Sequence, residues 1–362
     1  MKIGILTFVH ALNYGAVLQA YASQKFISNM GIDVSFINHF PVERITKSNN
    51  FSKSQLLLNK ISNLMHPIKK YQGKKKRQKL SDFKNEFLNI SEQIYHGDIT
   101  ELKENYDVVI AGSDQIWNTD VNPSPRPYFL DFKTNAKKAG YALSTGREKL
   151  TELDCEMIHK YVNNFEMLSV RENSLKNYLS ENENVNCQLV CDPVFLLKEN
   201  EWSKVAVTPK EKKYVLVYSM EWNDALINAI KNIKHHTNKK VYCINGGGIS
   251  SASIADKTLG GLGPKEFIGY IKNADIVLTN SFHGAAFSAI FKKKLVVLEH
   301  SRRNERLCQL LELCGYPDHF LKLNDENYNL DNYYIDTITA YKNMSEFIEQ
   351  SREYMKSLCQ EN

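Results

Sequence analysis

The sequence predicts an α/β protein built of two Rossmann-like domains that face a common cleft. Short apolar segments alternate with segments of helical periodicity along the chain, a pattern typical of parallel sheets flanked by helices. A polar stretch over 198–213 interrupts this alternation once. The chain has 362 residues, more than one hydrophobic core usually serves, which also favours two domains.

The first domain is predicted over residues 1–200 and opens with a strand at 3–8. A polar turn over His10–Tyr14 leads into a helix expected from about Gly15 to Met30, which Gly31 ends. Further strands are predicted at 34–37, 107–111, 139–143, 167–170 and 188–190.

The stretch from about 45 to 103 is polar, basic and helical in pattern, and we expect an insertion between strands rather than part of the sheet. Its cations crowd together as Lys69, Lys70, Lys74, Lys75, Lys76, Arg77 and Lys79. A solvated helix face explains them, as does a surface that meets anionic glycan, phosphate or membrane head groups. Nucleic acid is the weaker alternative because no recognition motif accompanies the cations.

The second domain is predicted over residues 210–335. Its strands are expected at 214–218, 241–244, 276–279 and 295–298. A final helix within 340–362 is expected to pack back on the first domain.

The seven cysteines indicate a reducing compartment. Their number is odd, their spacings are scattered and no C-x-x-C pair occurs, which argues against a disulfide framework and a structural zinc. The N-terminus begins directly with a strand, and no apolar run approaches the roughly 20 residues of a membrane helix. We therefore expect a cytoplasmic protein, with peripheral contact to the inner membrane surface as an option.

Candidate chemistry lies after the strands, because ligands of open α/β sheets bind outside the carboxyl ends of the strands. After the first strand, Asn13 can cap the following helix, and the helix N-terminus favours a polar or anionic ligand group. Gly112–Asn118 combines a hydroxyl, a carboxylate, amides and an indole. A core segment would not have this composition, because buried polar groups cost free energy unless they are paired. Amides and carboxylates bind sugar hydroxyls, so the composition indicates a sugar site.

Two cationic positions and one histidine complete the candidates. Arg171 can hold a carboxylate or phosphate through its planar fork, and a structural ion pair with Glu172 or another acid is the alternative. His283 stands between a strand end and a helix of small residues, a position suited to a general acid–base. Beyond the last strand, Arg306 follows Arg302 and Arg303, and this cluster either faces an anionic donor or lies on a helix surface.

In this order the motifs resemble the polysaccharide pyruvyl transferase family. The matching stretches are Asn13–Tyr21, Gly112–Asn118, Ser169–Glu172, Asp192–Pro193, Ala274–Asp275, Ser281–Gly284 and Arg306–Leu311. The sequence departs from the family pattern in three places. Asn280 stands where aspartate is common, Ala285 stands where threonine is common, and residues 139–144 are a loose version of the usual Ser-Tyr-Ala-Ala-Ser stretch.

The resemblance implies a fold similar to B-type glycosyltransferases and phosphoenolpyruvate as donor, with no metal and no cofactor beyond this co-substrate. The product would be a pyruvate ketal on two hydroxyls of a glycan or lipid-linked sugar in surface polysaccharide biosynthesis. The implied residues are His283 and Arg171 as catalytic groups, Ser281, Gly284 and Arg306 for the donor, and Asn13, Tyr14, Asp114, Gln115 and Trp117 for the acceptor.

Two alternatives remain open on the sequence. A nucleotide-sugar-dependent glycosyltransferase of the same architecture would bind a nucleoside diphosphate in the second domain. A non-catalytic glycan-binding module would keep its affinity for sugar without His283.

Overall fold

The computed structural model describes residues 1–41, 67–122, 124–244, 254–301, 304–325 and 329–360, with backbone only at 67–69. The chain divides into two compact units. The first unit comprises Met1–Pro67, Asp82–Leu197 and Phe347–Asn362, and the second comprises Ile68–Ser81 and Lys198–Glu346. Arg302 and Arg303 lie outside the described residues, as does the part of the expected insertion before residue 67.

The first unit is built on a parallel sheet of seven strands. They are β1 (Lys2–Leu6), β2 (Asp33–Phe40), β3 (Ile90–His96), β4 (Val108–Gly112), β5 (Lys137–Leu143), β6 (Met167–Val170) and β7 (Gln188–Leu189). Their order is β3-β2-β1-β4-β5-β6-β7. The helices in this part of the chain are α1 (Tyr14–Ser28), α2 (Pro67–Phe87), α3 (Glu152–Tyr161) and α4 (Asn173–Asn182), and most of α2, Ile68–Ser81, belongs to the second unit.

The strand β3 corrects the expectation that 45–103 contributes nothing to the sheet. It pairs in parallel with β2, where Asn38 lies opposite Ile94 and Phe40 opposite His96. Only one of its seven residues, Tyr95, is fully buried. An edge strand packs on one side and faces solvent on the other, so its sequence carries too few apolar residues to stand out.

The second unit is built on a parallel sheet of six strands. They are β8 (Val215–Tyr218), β9 (Val241–Ile244), β10 (Lys257–Leu259), β11 (Ile276–Thr279), β12 (Lys294–Leu298) and β13 (Phe320–Leu321), in the order β10-β9-β8-β11-β12-β13. The helices are α5 (Glu199–Val205), α6 (Asp224–Thr237), α7 (Pro264–Asn273), α8 (Phe282–Ile290), α9 (Glu305–Cys314) and α10 (Thr337–Asn343), and α11 (Ser345–Leu358) follows. The sequence did not predict the short edge strands β10 and β13.

Both sheets have the doubly wound order of Rossmann folds, which confirms the predicted α/β class with two Rossmann-like domains. The strand order reverses between β1 and β4 in the first sheet and between β8 and β11 in the second. Every residue of β4, β8 and β11 is buried, as expected for central strands covered on both faces. Loops that follow strands at such reversal points form the ligand sites of open α/β sheets.

The final helix α11 packs within the first unit. The backbone N–H of Cys191 donates to Oγ of Ser351 at 2.9 Å, and Nε of Arg352 donates to the carbonyl of Leu196 at 3.0 Å. A second guanidinium nitrogen of Arg352 donates to the carbonyl of Phe195 at 3.2 Å. The helix thus satisfies backbone groups that follow β7, where an unpaired buried group would be costly.

Two further findings concern the whole described chain. All seven cysteines are free thiols, as the sequence predicted. In the ranges that the structure describes, no helix has the length and apolar character needed to cross a membrane.

The helix α7 approaches the segment after α5 so closely that only glycine fits at one position. A Cβ on Gly269 would lie 1.8 Å from the carbonyl oxygen of Val207. We expect Gly269→Ala to lower the free energy of unfolding by about 1–3 kcal/mol, because overpacking must shift the helix. Chemical denaturation followed by circular dichroism measures this.

Gly73→Ala in α2 is the matched control. A Cβ there would meet only the end of the Arg77 side chain, 3.9 Å away. Alanine stabilises a helix interior relative to glycine by roughly 0.5–1 kcal/mol, so this variant should be at least as stable as the wild type. Equal unfolding curves for Gly269→Ala and the wild type would contradict the packing argument.

Candidate functional site

In the second unit, the helix α8 begins directly at the ends of the two central strands. The hydroxyl of Thr279 donates to the carbonyl of Tyr218 at 2.6 Å and accepts from the backbone N–H of Ser281 at 3.0 Å. A Cβ on Gly284 would lie 2.4 Å from Oγ1 of Thr279 and 3.1 Å from the Tyr218 ring. Only glycine therefore lets the first turn of α8 lie this close to β8 and β11.

His283 is the second residue of α8 and is half-buried. Its ring lies edge-on to that of Phe282, with 5.3 Å between the centroids. Ser281 occupies the N-cap position, but its side chain makes no capping hydrogen bond. The first backbone N–H groups of α8 thus lack a side-chain cap, and such a helix start favours an anion.

A neutral phenol lies beside this helix start. Burial raises the pKa of Tyr218 to about 12, against the lowering effect of its hydrogen bond with Ser281. Tyr218 therefore stays protonated at neutral pH and adds no negative charge next to the anion-favouring helix start.

Arg306 joins the same cluster through an aromatic ring. It is the second residue of α9, and its guanidinium carbon lies 5.7 Å from the centroid of the Phe282 ring. Phe282 thus contacts both His283 and Arg306. The structure brings together four residues that the sequence proposed for one site, Ser281, His283, Gly284 and Arg306, while their chemical roles stay predictions.

Hydrogen bonds between loops fix the positions of the loops around this cluster. The side-chain oxygen of Asn280 accepts from the backbone N–H of Met220 at 2.8 Å, which joins the loops after β11 and β8. An amide oxygen accepts such a bond as a carboxylate would. An aspartate at position 280 could therefore accept the same hydrogen bond.

Glu221 extends the network to the loop after β12. One carboxylate oxygen accepts from the backbone N–H of Ser301 at 2.6 Å, and the other accepts from the Ser301 hydroxyl at 2.8 Å. Asn304 closes the same loop by accepting from the N–H of His300 and donating to its carbonyl, both at 2.8 Å. Arg306 follows two residues later, so these contacts fix where its helix starts.

Glu221 and Asn304 were not among the site residues predicted from the sequence. Both belong to no motif, and their partners lie 80 and 4 residues away along the chain. The position of Glu221, three residues beyond the end of β8, was the available signal, because loops after central strands carry site residues.

In the first unit, Asn13 and Asp114 follow the two central strands. Asn13 caps α1 as predicted, accepting from the N–H of Gly15 at 2.8 Å, and its side chain is exposed. Asp114 is half-buried and has a left-handed backbone with φ of 66°. Gln115 is 7% exposed and lies against Gly146, where a Cβ would come within 1.8 Å of its amide nitrogen.

The structure contradicts the acceptor contact predicted for Trp117, because its ring lies in the core. Its indole is 0% exposed, its Nε1 donates to the carbonyl of Tyr128 at 3.1 Å, and its ring stacks on Phe129 at 4.3 Å. Tyr14 is 1% exposed and likewise offers no open face. Of Gly112–Asn118, only Asp114, whose backbone is left-handed, is partly exposed, while Ile116 and Trp117 pack in the core. The local sequence pattern therefore did not show which side chains of the motif reach solvent.

Arg171 lies in a buried network of charges. It is 4% exposed and forms ion pairs with Asp192 and Glu172, and one of its terminal nitrogens donates to the hydroxyl of Ser144 at 3.0 Å. Burial alone lowers the pKa of Arg171, but Asp192, Glu172 and Asp114 together raise it above its ordinary value. These contacts are the structural ion pairs that the sequence offered as the alternative role of Arg171. Its role in anchoring the donor stays a prediction.

No group of three or more histidine, cysteine, aspartate or glutamate side chains in the described part of the chain is arranged to hold a metal ion. The expectation of metal-free chemistry stays a prediction.

Comparisons with known proteins agree with the motifs and the sheets. A family model described as polysaccharide pyruvyl transferase matches residues 13–302, most of the chain. A UDP-GlcNAc 2-epimerase from Methanocaldococcus jannaschii is similar in structure, with a TM-score of 0.50 at 13% identity over 96% of this chain and 100% of that chain. The E. coli heptosyltransferase WaaC with ADP matches with a TM-score of 0.44 at 11% identity over 97% of this chain and 100% of that chain.

No curated protein sequence matches the chain. The likeness to the epimerase shows the fold alone, which is the architecture of B-type glycosyltransferases.

The buried position of Arg171 leads to a stability prediction. We expect Arg171→Gln to lower the free energy of unfolding by about 3–5 kcal/mol, because it leaves Asp192 and Glu172 buried without their cation. Urea denaturation measures this. Arg126→Gln removes a partly exposed cation that pairs with Asp98 and Asp131, and should cost about 1 kcal/mol or less. A fully stable Arg171→Gln variant would instead favour a ligand-binding role.

The Glu221 contacts lead to a prediction about loop motion. We expect Glu221→Ala to speed amide hydrogen exchange at Ser301 by roughly 10- to 100-fold, because hydrogen bonds to a charged acceptor are lost. Hydrogen-exchange mass spectrometry measures this. Glu312→Ala, at an exposed position of α9, is the control and should leave exchange at Ser301 unchanged. Unchanged exchange in Glu221→Ala would show that the loop is held by other contacts.

Proposed function

The chain belongs to the polysaccharide pyruvyl transferase family, and we propose that it moves the pyruvyl group of phosphoenolpyruvate onto two hydroxyls of a sugar. The observation that carries this proposal is the cluster at the start of α8. There a histidine, an arginine and a helix start without a side-chain cap lie around one aromatic ring. Such a set suits a small donor that carries both a phosphate and a carboxylate.

We propose that the donor binds through Arg306 and the first turn of α8. A guanidinium grips a phosphate or carboxylate with two parallel hydrogen bonds, and the backbone N–H groups at a helix start favour the second anionic group. Ser281 lies at that start, and Gly284 keeps the turn close to the strands. Asn280, Glu221 and Asn304 act as positioning residues that hold the surrounding loops.

In the proposed reaction, His283 acts as the acid. It gives a proton to the methylene carbon of the enol, which becomes a methyl group, while the neighbouring carbon becomes electrophilic. One sugar hydroxyl adds to that carbon, phosphate leaves, and the second hydroxyl closes the ketal. Of the two hydroxyl protons, one replaces the proton that His283 gave and the other leaves with phosphate. No cofactor beyond phosphoenolpyruvate enters this scheme.

The acceptor is proposed to be a glycan or a lipid-linked sugar of surface polysaccharide biosynthesis. In the first unit, the exposed amide of Asn13 and the carboxylate of Asp114 remain as its candidate contacts, with Gln115 beside them. Amide and carboxylate groups bind sugar hydroxyls directly. Seven free thiols agree with a reducing, cytoplasmic site for the reaction.

We expect His283→Ala to lower turnover by about 10²- to 10⁴-fold, because the proton to the enol carbon is lost. The assay mixes the protein with phosphoenolpyruvate and a panel of aryl or lipid-linked glycosides, and follows phosphate release together with the product mass. Phosphoenolpyruvate should still raise the melting temperature of the variant, since Arg306 and the helix start remain.

His235→Ala is the control, because His235 is exposed at the end of α6, away from the α8 cluster in sequence. It should keep wild-type turnover. Full turnover of His283→Ala would remove the proposed acid. If a nucleotide sugar stabilised the protein and phosphoenolpyruvate did not, the chain would instead be a glycosyltransferase.

A further inference from the structure

The part of α2 that belongs to the second unit, Ile68–Ser81, has one face packed within that unit. The side chain of Gln72 lies against Gly260, where a Cβ would come within 2.1 Å of it, and the stem of Lys79 lies against Gly263. The ammonium group of Lys79 pairs with Glu266. Residues 72 and 79 are seven positions apart and therefore share one face of the helix.

The opposite face carries cations and is exposed. The cations on this face are Lys70, Lys74 and Arg77, which are four and then three residues apart along the chain. At a rotation of 100° per residue, they lie on the side of the helix opposite Gln72 and Lys79. Tyr71 beside them is 66% exposed. Among the described residues, none forms an ion pair with these three cations.

The charge of this helix stands out against the rest of the chain. Residues 67–81 contain seven cations and no carboxylate, whereas the net charge of all 362 residues is +5. The remainder of the chain is therefore slightly acidic. The positive field of the protein is concentrated on α2, where it attracts anionic surfaces.

We propose that the exposed face of α2, formed by Lys70, Tyr71, Lys74 and Arg77, docks on a membrane surface of anionic lipids. The three cations are spread over about 10 Å of helix and do not converge on one point, so they fit an array of head groups better than one bound anion. An amphipathic ring such as that of Tyr71 is favoured at the lipid–water boundary. The proposal is independent of the donor and of the reaction.

The test compares binding of the full chain to two kinds of vesicle, one of phosphatidylcholine with about a third phosphatidylglycerol and one of phosphatidylcholine alone. We expect binding to the anionic vesicles only, weakening as salt is raised. Replacing Lys70, Lys74 and Arg77 together by glutamine should weaken binding about 100-fold, at about fivefold for each cation. Glutamine keeps the helix propensity of these exposed positions, so the fold should be unaffected.

The matched control replaces Lys204, Lys210 and Lys212, three exposed lysines of the second unit, by glutamine. This variant loses the same charge as the first triple variant, and its affinity for the anionic vesicles should lie within twofold of that of the wild type. Three results would overturn the proposal: equal binding to both vesicles, equal losses in the two triple variants, or tighter binding to duplex DNA at equal phosphate concentration. The last result would assign the face to nucleic acid.

Discussion

The candidate donor site depends on the close approach of α8 to the ends of β8 and β11. Gly284 permits this approach because any Cβ would meet Thr279 and Tyr218. The same approach sets the direction of the helix start, the position of His283 and the ring of Phe282 over which Arg306 lies. One missing side chain therefore determines where a histidine, an arginine and an anion-favouring helix start meet.

In the first unit, charged residues from different motifs pair with each other in the buried interior. Arg171 and Asp192 belong to two separate motifs, yet they pair with each other at the carboxyl ends of the sheet. Buried charges are tolerated only when they are paired, so the two residues depend on each other. Asp114 is near enough to affect the pKa of Arg171 and is still half-exposed, which connects this buried network to the proposed acceptor loop.

The sequence predicted the two parallel sheets and the residues at the start of α8, because buried central strands and strand–helix junctions leave strong local patterns. The sequence did not predict features that depend on contacts with residues distant along the chain. β3 is an edge strand with few apolar residues, and Trp117 shares a motif with polar residues while its ring lies in the core. Glu221 could not be found by spacing, since its partner Ser301 is 80 residues away.

We propose that the start of α8 binds a small donor with two anionic groups, a phosphate and a carboxylate, rather than a nucleotide. Isothermal titration calorimetry with phosphoenolpyruvate and with a nucleoside diphosphate, on the wild type and on Arg306→Gln, tests it most directly. We expect that phosphoenolpyruvate binds to the wild type, that Arg306→Gln binds it at least tenfold more weakly, and that the nucleotide does not bind. Binding of the nucleotide without binding of phosphoenolpyruvate would show that the start of α8 is not a phosphoenolpyruvate site.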